Sequence, residues 1–288
     1  MATLFAGKPP RVSFEFFPPN SVKMEETLWE SITTLAPLNP AFVSITYGAG
    51  GSTRERTHQT LQRVVTETSL TPAAHLTCVS ASQADVLAVA ESYHEMGIRH
   101  IVALRGDAPD AARPYVPHSG GFAYASDLVR ALKKLADFDV TVAAYPEGHP
   151  ETPGMEADIE NLNRKVDAGA NRAITQYFFD VEHFLRYRDK AVAAGVNIPI
   201  VPGLLPVTNY AQMVKFSAMC GASVPDWLAQ LFAGLEDDAT TRMHVAVAVA
   251  TEQCRRLRKE GVENFHFYTL NRAELTLALC HVLGVRKA

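Results

Sequence analysis

The stretch Arg11-Val12-Ser13-Phe14-Glu15-Phe16-Phe17-Pro18-Pro19 places one carboxylate inside an apolar, aromatic run. Extended backbone alternates its side chains, so Ser13, Glu15 and Phe17 share one face while Val12, Phe14 and Phe16 take the other. The two prolines end the strand because neither can donate to a ladder, which puts Glu15 near a strand's carboxyl end. Three phenylalanines strip water from a glutamate, and loss of water by itself raises a carboxyl pKa toward the range a general acid uses. The competing reading of these residues is a buried Glu that pairs with an Arg or Lys to close a barrel end.

Further strands are predicted at 42–46, 73–77, 100–104, 140–144, 172–175, 198–201 and 265–268, each a short apolar run. Between them lie segments with helical spacing, at 23–35, 54–68, 83–96, 125–135, 156–168, 181–194, 209–219, 227–232 and 238–259, and a last one at 272–283. Ser52 or Thr53 is placed to cap the second helix. The run Val245-Ala-Val-Ala-Val-Ala250 has strand composition but sits in a long unbroken segment, so helix is expected there. This alternation predicts a parallel (β/α)8 TIM barrel, a single catalytic domain over 1–288 with a long loop after strand four. A doubly wound open sheet is the alternative, against which no Gly-x-Gly-x-x-Gly follows the first strand.

A chain of 288 residues suits one α/β barrel, and 47% hydrophobic with 20% charged residues gives it a large core. The net charge of −4, with no Lys/Arg run, argues against nucleic acid and against an anionic membrane surface. Cys78, Cys220, Cys254 and Cys280 are far apart and form no Cys-x-x-Cys pair. Neither a disulfide framework nor a metal site is expected, and a reducing cytoplasm fits. No stretch reads as a signal peptide or a membrane span.

In a parallel barrel the active site lies at the carboxyl ends of the strands. There the sequence supplies Glu15, Thr46-Tyr47 and a glycine turn, His75 and Thr77, Arg105-Gly106-Asp107, the run from Tyr145 to Glu151, Thr175-Gln176-Tyr177, and Thr269 to Arg272. One acid in an apolar setting, an Arg-Gly-Asp turn, a glycine turn and several aromatics suit a large planar cofactor with a phosphate tail. The plainer readings are that Asp107 pairs with Arg105, that His75 is a core histidine, that Tyr145 only packs, and that Arg164 and Lys165 are a solvated helix face.

The segments VSFEFFPP (12–19), VSITYGAGGSTRERT (43–57), HLTC (75–78), HIVALRGD (100–107), YASDL (124–128), AAYPEGHPE (143–151), RKVDAGANRAITQYFFD (164–180), PGLLPV (202–207) and HFYTLNRAE (266–274) resemble, in order, the bacterial methylenetetrahydrofolate reductases. The resemblance implies an FAD-containing barrel in which NADH or NADPH and methylenetetrahydrofolate take turns at one flavin face, feeding methyl groups to methionine synthesis. It implies that Glu15 is the general acid that protonates N10, and that Asp107 stands beside the flavin and contacts the pterin. Thr46, Gln176, Gln212, Phe216 and Arg272 are the further substrate positions it implies. For the flavin it implies Tyr47, Ala49, His75, Arg105, Gly106, Asp107, Ala125, Tyr145, His149, Asp158, Asn161, Arg164 and Lys165. It also implies a homo-oligomer.

The segment 108–122 has no counterpart in the resemblance, and the chain leaves no room for a regulatory domain after the barrel. Two further functions stay open from sequence. One is another flavin barrel oxidoreductase resembling proline dehydrogenase; the other is a folate-binding subunit without redox activity. No ribose-reading Asp or Arg separates NADH from NADPH.

Overall fold

The computed structural model describes residues 8–47, 54–108, 115–207 and 209–287. Its strands are β1 (Arg11–Phe16), β2 (Val43–Ile45), β3 (Pro72–Thr77), β4 (His100–Leu104), β5 (Asp139–Ala144), β6 (Arg172–Thr175), β7 (Ile200–Val201), β8 (Gly203–Leu204) and β9 (Asn264–Tyr268). All the pairings are parallel, in the order β7-β6-β5-β4-β3-β2-β1-β9-β8. The sheet's two outermost strands are two halves of one stave: β7 pairs with β6, and β8 pairs with β9. Pro202 separates them, and its missing N–H is why the ladder breaks there. The result is the expected eight-stave barrel, one stave of which changes neighbours midway.

The helices are α1 (Val22–Leu35), α2 (Arg54–Glu67), α3 (Gln83–Glu95), α4 (Ala125–Leu135), α5 (Met155–Asp167), α6 (Val181–Ala193), α7 (Tyr210–Cys220), α8 (Asp226–Phe232), α9 (Ala239–Lys259) and α10 (Glu274–Val282). Polar caps start several of them. Ser21 accepts from Met24 N at α1, and Ser82 and Asp85 form a reciprocal capping box at α3. The Val-Ala run is helical, because Ala246, Ala250, Cys254 and Leu257 recur at turn spacing and pack inward. The proposed caps Ser52 and Thr53 lie outside the described residues.

Strand alternation places two cores. Val12, Phe14 and Phe16 point outward into the layer between strands and helices, where all three are buried. Inside the barrel Phe42, Ala73, Val102, Ile174 and Val201 pack together. The lower end of the bore is closed by polar groups. Arg172 binds Asp139 at 2.6 Å and donates to His100 Nε2 at 3.0 Å, and Thr141 Oγ1 lies 2.7 Å from the same nitrogen. Burial first, and then Arg172, push the His100 pKa down to about 3, so this ring is a neutral acceptor.

Gly203, where the split stave resumes, has tight surroundings. A Cβ there would lie 2.2 Å from the Thr175 carbonyl oxygen and 2.6 Å from the Tyr268 ring. Gly203→Ala should therefore lower the unfolding free energy by at least about 2 kcal/mol in denaturant titration. At Gly120, where a Cβ would meet only His118 atoms 3.8 Å or more away, alanine should stay within about 0.5 kcal/mol.

Candidate active site

The carboxyl ends of the strands surround a cavity of about 600 Å³. Glu15, Thr46, Tyr47, His75, Asp107, Tyr145, Gln176 and Phe216 line it, all chosen from sequence. Apolar side chains from staves across the barrel, such as Val102, Leu104, Val142, Ile174 and Leu205, complete its wall. A second cavity of about 340 Å³ shares Leu104, Ala143 and Tyr145 with the first and runs outward over α4 and α5. Arg105, Ala125, His149, Asp158, Asn161, Arg164 and Lys165 line this arm. The pair makes an elongated site, apolar at one end and cationic at the other.

Glu15 is the penultimate residue of β1 and is only 8% exposed. Two imidazoles converge on one of its oxygens: Nε2 of His75 lies 3.3 Å and Nε2 of His266 lies 3.6 Å from Oε2. Ser13 Oγ, on the same face of β1, is 2.8 Å from His266 Nδ1. Burial is the largest single influence on the carboxyl and pushes its pKa up, but the two histidines together outweigh it and hold it at about 2. The expectation that the aromatic setting would raise this pKa is thereby corrected. The reason is His266, which the alternation in Phe265-His-Phe-Tyr268 turns into the bore while Phe265 and Phe267 face the helices.

The plainer readings are also decided by geometry. Among the described residues Glu15 pairs with histidines, not with Arg or Lys. Arg105 pairs with Glu151 at 2.7 Å rather than with Asp107 and lies over the Tyr115 ring, while its Nη2 is buried without a partner. Gly106, with φ +84°, turns the chain so that Arg105 and Asp107 serve different cavities. Lys165 donates to the Ala143 carbonyl where the cavities meet, and burial brings its pKa down to about 8. Arg164 points outward to Glu160 and Asn161.

Tyr145 is T-shaped to His149, whose backbone N–H is held by Asp158. Gln212 is exposed in the first turn of α7 and Arg272 is exposed after β9; neither lines the cavity. Ala49 lies outside the described residues.

Tyr177 and Leu270, placed at the rim from sequence, line the main cavity; Cys220, His266 and Tyr268 also line it and are not site candidates from sequence, nor are Tyr124, Ser126 and Thr152 in the arm. His266 and Tyr268 were readable in principle, since they alternate with two phenylalanines in the last strand.

The family model for methylenetetrahydrofolate reductase matches residues 1–284. The chain belongs to the methylenetetrahydrofolate reductase family. It is 54% identical to 5,10-methylenetetrahydrofolate reductase of Escherichia coli, over 96% of this chain and 91% of that protein. It is 34% identical to methylenetetrahydrofolate reductase (NADH) 1 of Arabidopsis thaliana, over 95% of this chain and 48% of that protein. A solved Clostridium thermocellum protein described as binding two copies of 5-methyl-5,6,7,8-tetrahydrofolic acid has the same fold, with TM-score 0.63, 14% identity and 96% of each chain covered.

Members of the methylenetetrahydrofolate reductase family are oxidoreductases, and the site has the shape such chemistry asks for. A buried arginine nitrogen without a partner in the cationic arm and an apolar slot beside it fit a phosphate-tailed planar cofactor. Among the described residues no cluster of His, Cys, Asp or Glu could hold a metal ion, and no helix is long and apolar enough to cross a membrane.

Because Glu15 is held below its ordinary 4.5, its pairing stabilises the fold fully above that value and is lost as pH falls toward about 2. The difference in unfolding free energy between the parent chain and Glu15→Gln should therefore shrink by roughly 3 kcal/mol between pH 5 and pH 2. Parallel denaturant titrations across that range measure it, and a constant difference would contradict the pairing.

Proposed function

We propose that this protein reduces 5,10-methylenetetrahydrofolate to 5-methyltetrahydrofolate with electrons from NADH or NADPH, passed through FAD in two alternating half-reactions. The observation that carries this reading is Glu15 at the wall of the larger cavity with two histidine nitrogens on one carboxylate oxygen. Membership of the family supplies the reaction, and the methyltetrahydrofolate named for the C. thermocellum protein is in keeping with it.

FAD, when bound, supplies a two-electron carrier that takes hydride from the nicotinamide and returns it to the folate methylene. Tyr47, Ala49, His75, Asp107 and Tyr145 would hold its ring end. Arg105, Gly106, Ala125, His149, Asp158, Asn161, Arg164 and Lys165 would hold its tail, with the cations countering the pyrophosphate.

Glu15 delivers the proton that N10 needs before the five-membered ring can open to an N5 iminium. A carboxyl held near pH 2 is seldom protonated in an open site, so it requires both a source and a moment. His75 and His266, whose Nε2 atoms lie beside the accepting oxygen, are placed to pass it a proton. The moment comes when folate covers the cavity and excludes water, because burial is already the largest influence on this carboxyl and more of it raises proton affinity. One proton is consumed per turnover: methylene, nicotinamide hydride and proton give the methyl product and oxidised nicotinamide. Gln176 offers the folate an amide and Phe216 a stacking face.

Glu15→Gln should leave flavin reduction by the nicotinamide within about threefold of the parent. Folate-dependent reoxidation should fall by about 10²–10⁴-fold, since only that half needs the proton. Stopped-flow absorbance of the flavin resolves the two halves; equal loss in both would make Glu15 structural.

A further inference from the structure

The turn after β9 grips the backbone that carries Glu15. The Thr269 hydroxyl donates to the Glu15 carbonyl at 2.6 Å, and the Thr269 N–H reaches the same oxygen at 3.3 Å. Two residues on, the Asn271 side chain takes Phe17 from both sides: its Oδ1 accepts the Phe17 N–H at 2.8 Å and its Nδ2 donates to the Phe17 carbonyl at 2.9 Å. The turn is itself tied down. Asn271 N–H donates to Thr269 Oγ1 at 3.1 Å, and Ser31 of α1 donates to the Asn271 carbonyl at 2.6 Å. Thr269 and Asn271 are 3% and 6% exposed.

The sequence explains why such a grip is needed. β1 ends at Phe16, and Pro18 and Pro19 follow with no N–H to give. Phe17 therefore has no strand neighbour, although it lines the cavity mouth beside the acid. A carboxamide carries one donor and one acceptor in the arrangement of a peptide group, so Asn271 serves as one more rung of ladder where the strand has run out. To present it, the chain places Leu270 at φ +50° and Asn271 at φ +57°, a region that side-chain-bearing residues avoid. Asparagine is among the residues that tolerate that region best, and here its amide is also used.

We propose that Asn271 and Thr269 are positioning residues for proton delivery, holding the Glu15–Phe17 backbone at the depth where the carboxylate meets both histidines and the substrate. This rests on the reading of Glu15 as the acid. Asn271→Gly keeps the left-handed turn accessible and removes only the amide. Thr269→Val removes the hydroxyl, and Thr269→Ser restores it.

In hydrogen-exchange mass spectrometry of the intact protein, the Phe17 amide should exchange at least tenfold faster in Asn271→Gly, with the Thr46 amide unchanged. The prolines that follow carry no amide, so the signal at this site is clean. In the half-reactions, Asn271→Gly and Thr269→Val should slow folate-dependent flavin reoxidation about tenfold and leave reduction by nicotinamide within threefold, with Thr269→Ser near the parent rate. Unchanged Phe17 exchange, parallel loss in both halves, or a serine variant as slow as valine would overturn the proposal. Glu15→Gln separates the two ideas: if it keeps fast reoxidation the acid reading fails, whereas slow Glu15→Gln beside fast Asn271→Gly defeats the positioning role alone.

Discussion

A carboxylate on the wall of an apolar cavity stays ionised only if charge or hydrogen bonds replace the water it has lost. In this barrel the replacement comes from His75 on β3 and His266 on β9, both meeting Oε2 of Glu15 on β1. Three staves must therefore hold their relative heights. The parallel register does this, with Ser13 opposite His266 and Glu15 opposite Tyr268, and the turn beyond β9 locks the strand end a second time. The site is thus a consequence of strand register more than of any loop conformation.

The split stave belongs to the same constraint. Pro202 cannot donate, so the chain leaves β6 after Val201 and joins β9 at Gly203. Gly203 N–H is then satisfied by the Thr175 hydroxyl, and Tyr268 crosses above it to donate to the Thr175 carbonyl at 2.7 Å. Tyr268 could not reach that oxygen past a side chain at 203. The same phenol lines the cavity and stands edge-on to His266 at 5.2 Å, so barrel closure and placement of a histidine on Glu15 are one packing problem.

Most of the fold was legible because it rests on local periodicity: each stave and helix fell within a few residues of its expectation, including the Val-Ala run. The split at Pro202 was not, because a two-residue strand changing neighbours leaves no periodic trace. Position at a strand end was enough to name Glu15, Asp107 and His75, which line the cavity, whereas the α5 residues of the arm were named through the family resemblance. The protonation behaviour of Glu15 was not legible, since it depends on a histidine some 250 positions away in sequence. Gln212 and Arg272 lie on α7 and in the turn after β9, where both are exposed and neither lines the cavity. Asn271, one residue before Arg272, does the work at that turn through the backbone, which no inventory of rim side chains would reveal.

On the proposed function, the low pKa of Glu15 is consistent with one cavity serving two planar substrates in turn. A nicotinamide that gives up hydride becomes cationic, and so does a folate whose ring opens to the iminium. In the folate half that charge develops as Glu15 gives its proton to N10, so the carboxylate left at the wall is the anion that stabilises it. Hydride transfer from the nicotinamide asks no proton of Glu15, and a carboxyl held low has none to lose there. The proton then has to be supplied only when folate is in place, which is why the histidines are beside the acid and not elsewhere on the rim. Two imidazoles on one oxygen therefore answer both demands with the same atoms: they keep Glu15 charged when it must be an anion and stand ready when it must be an acid.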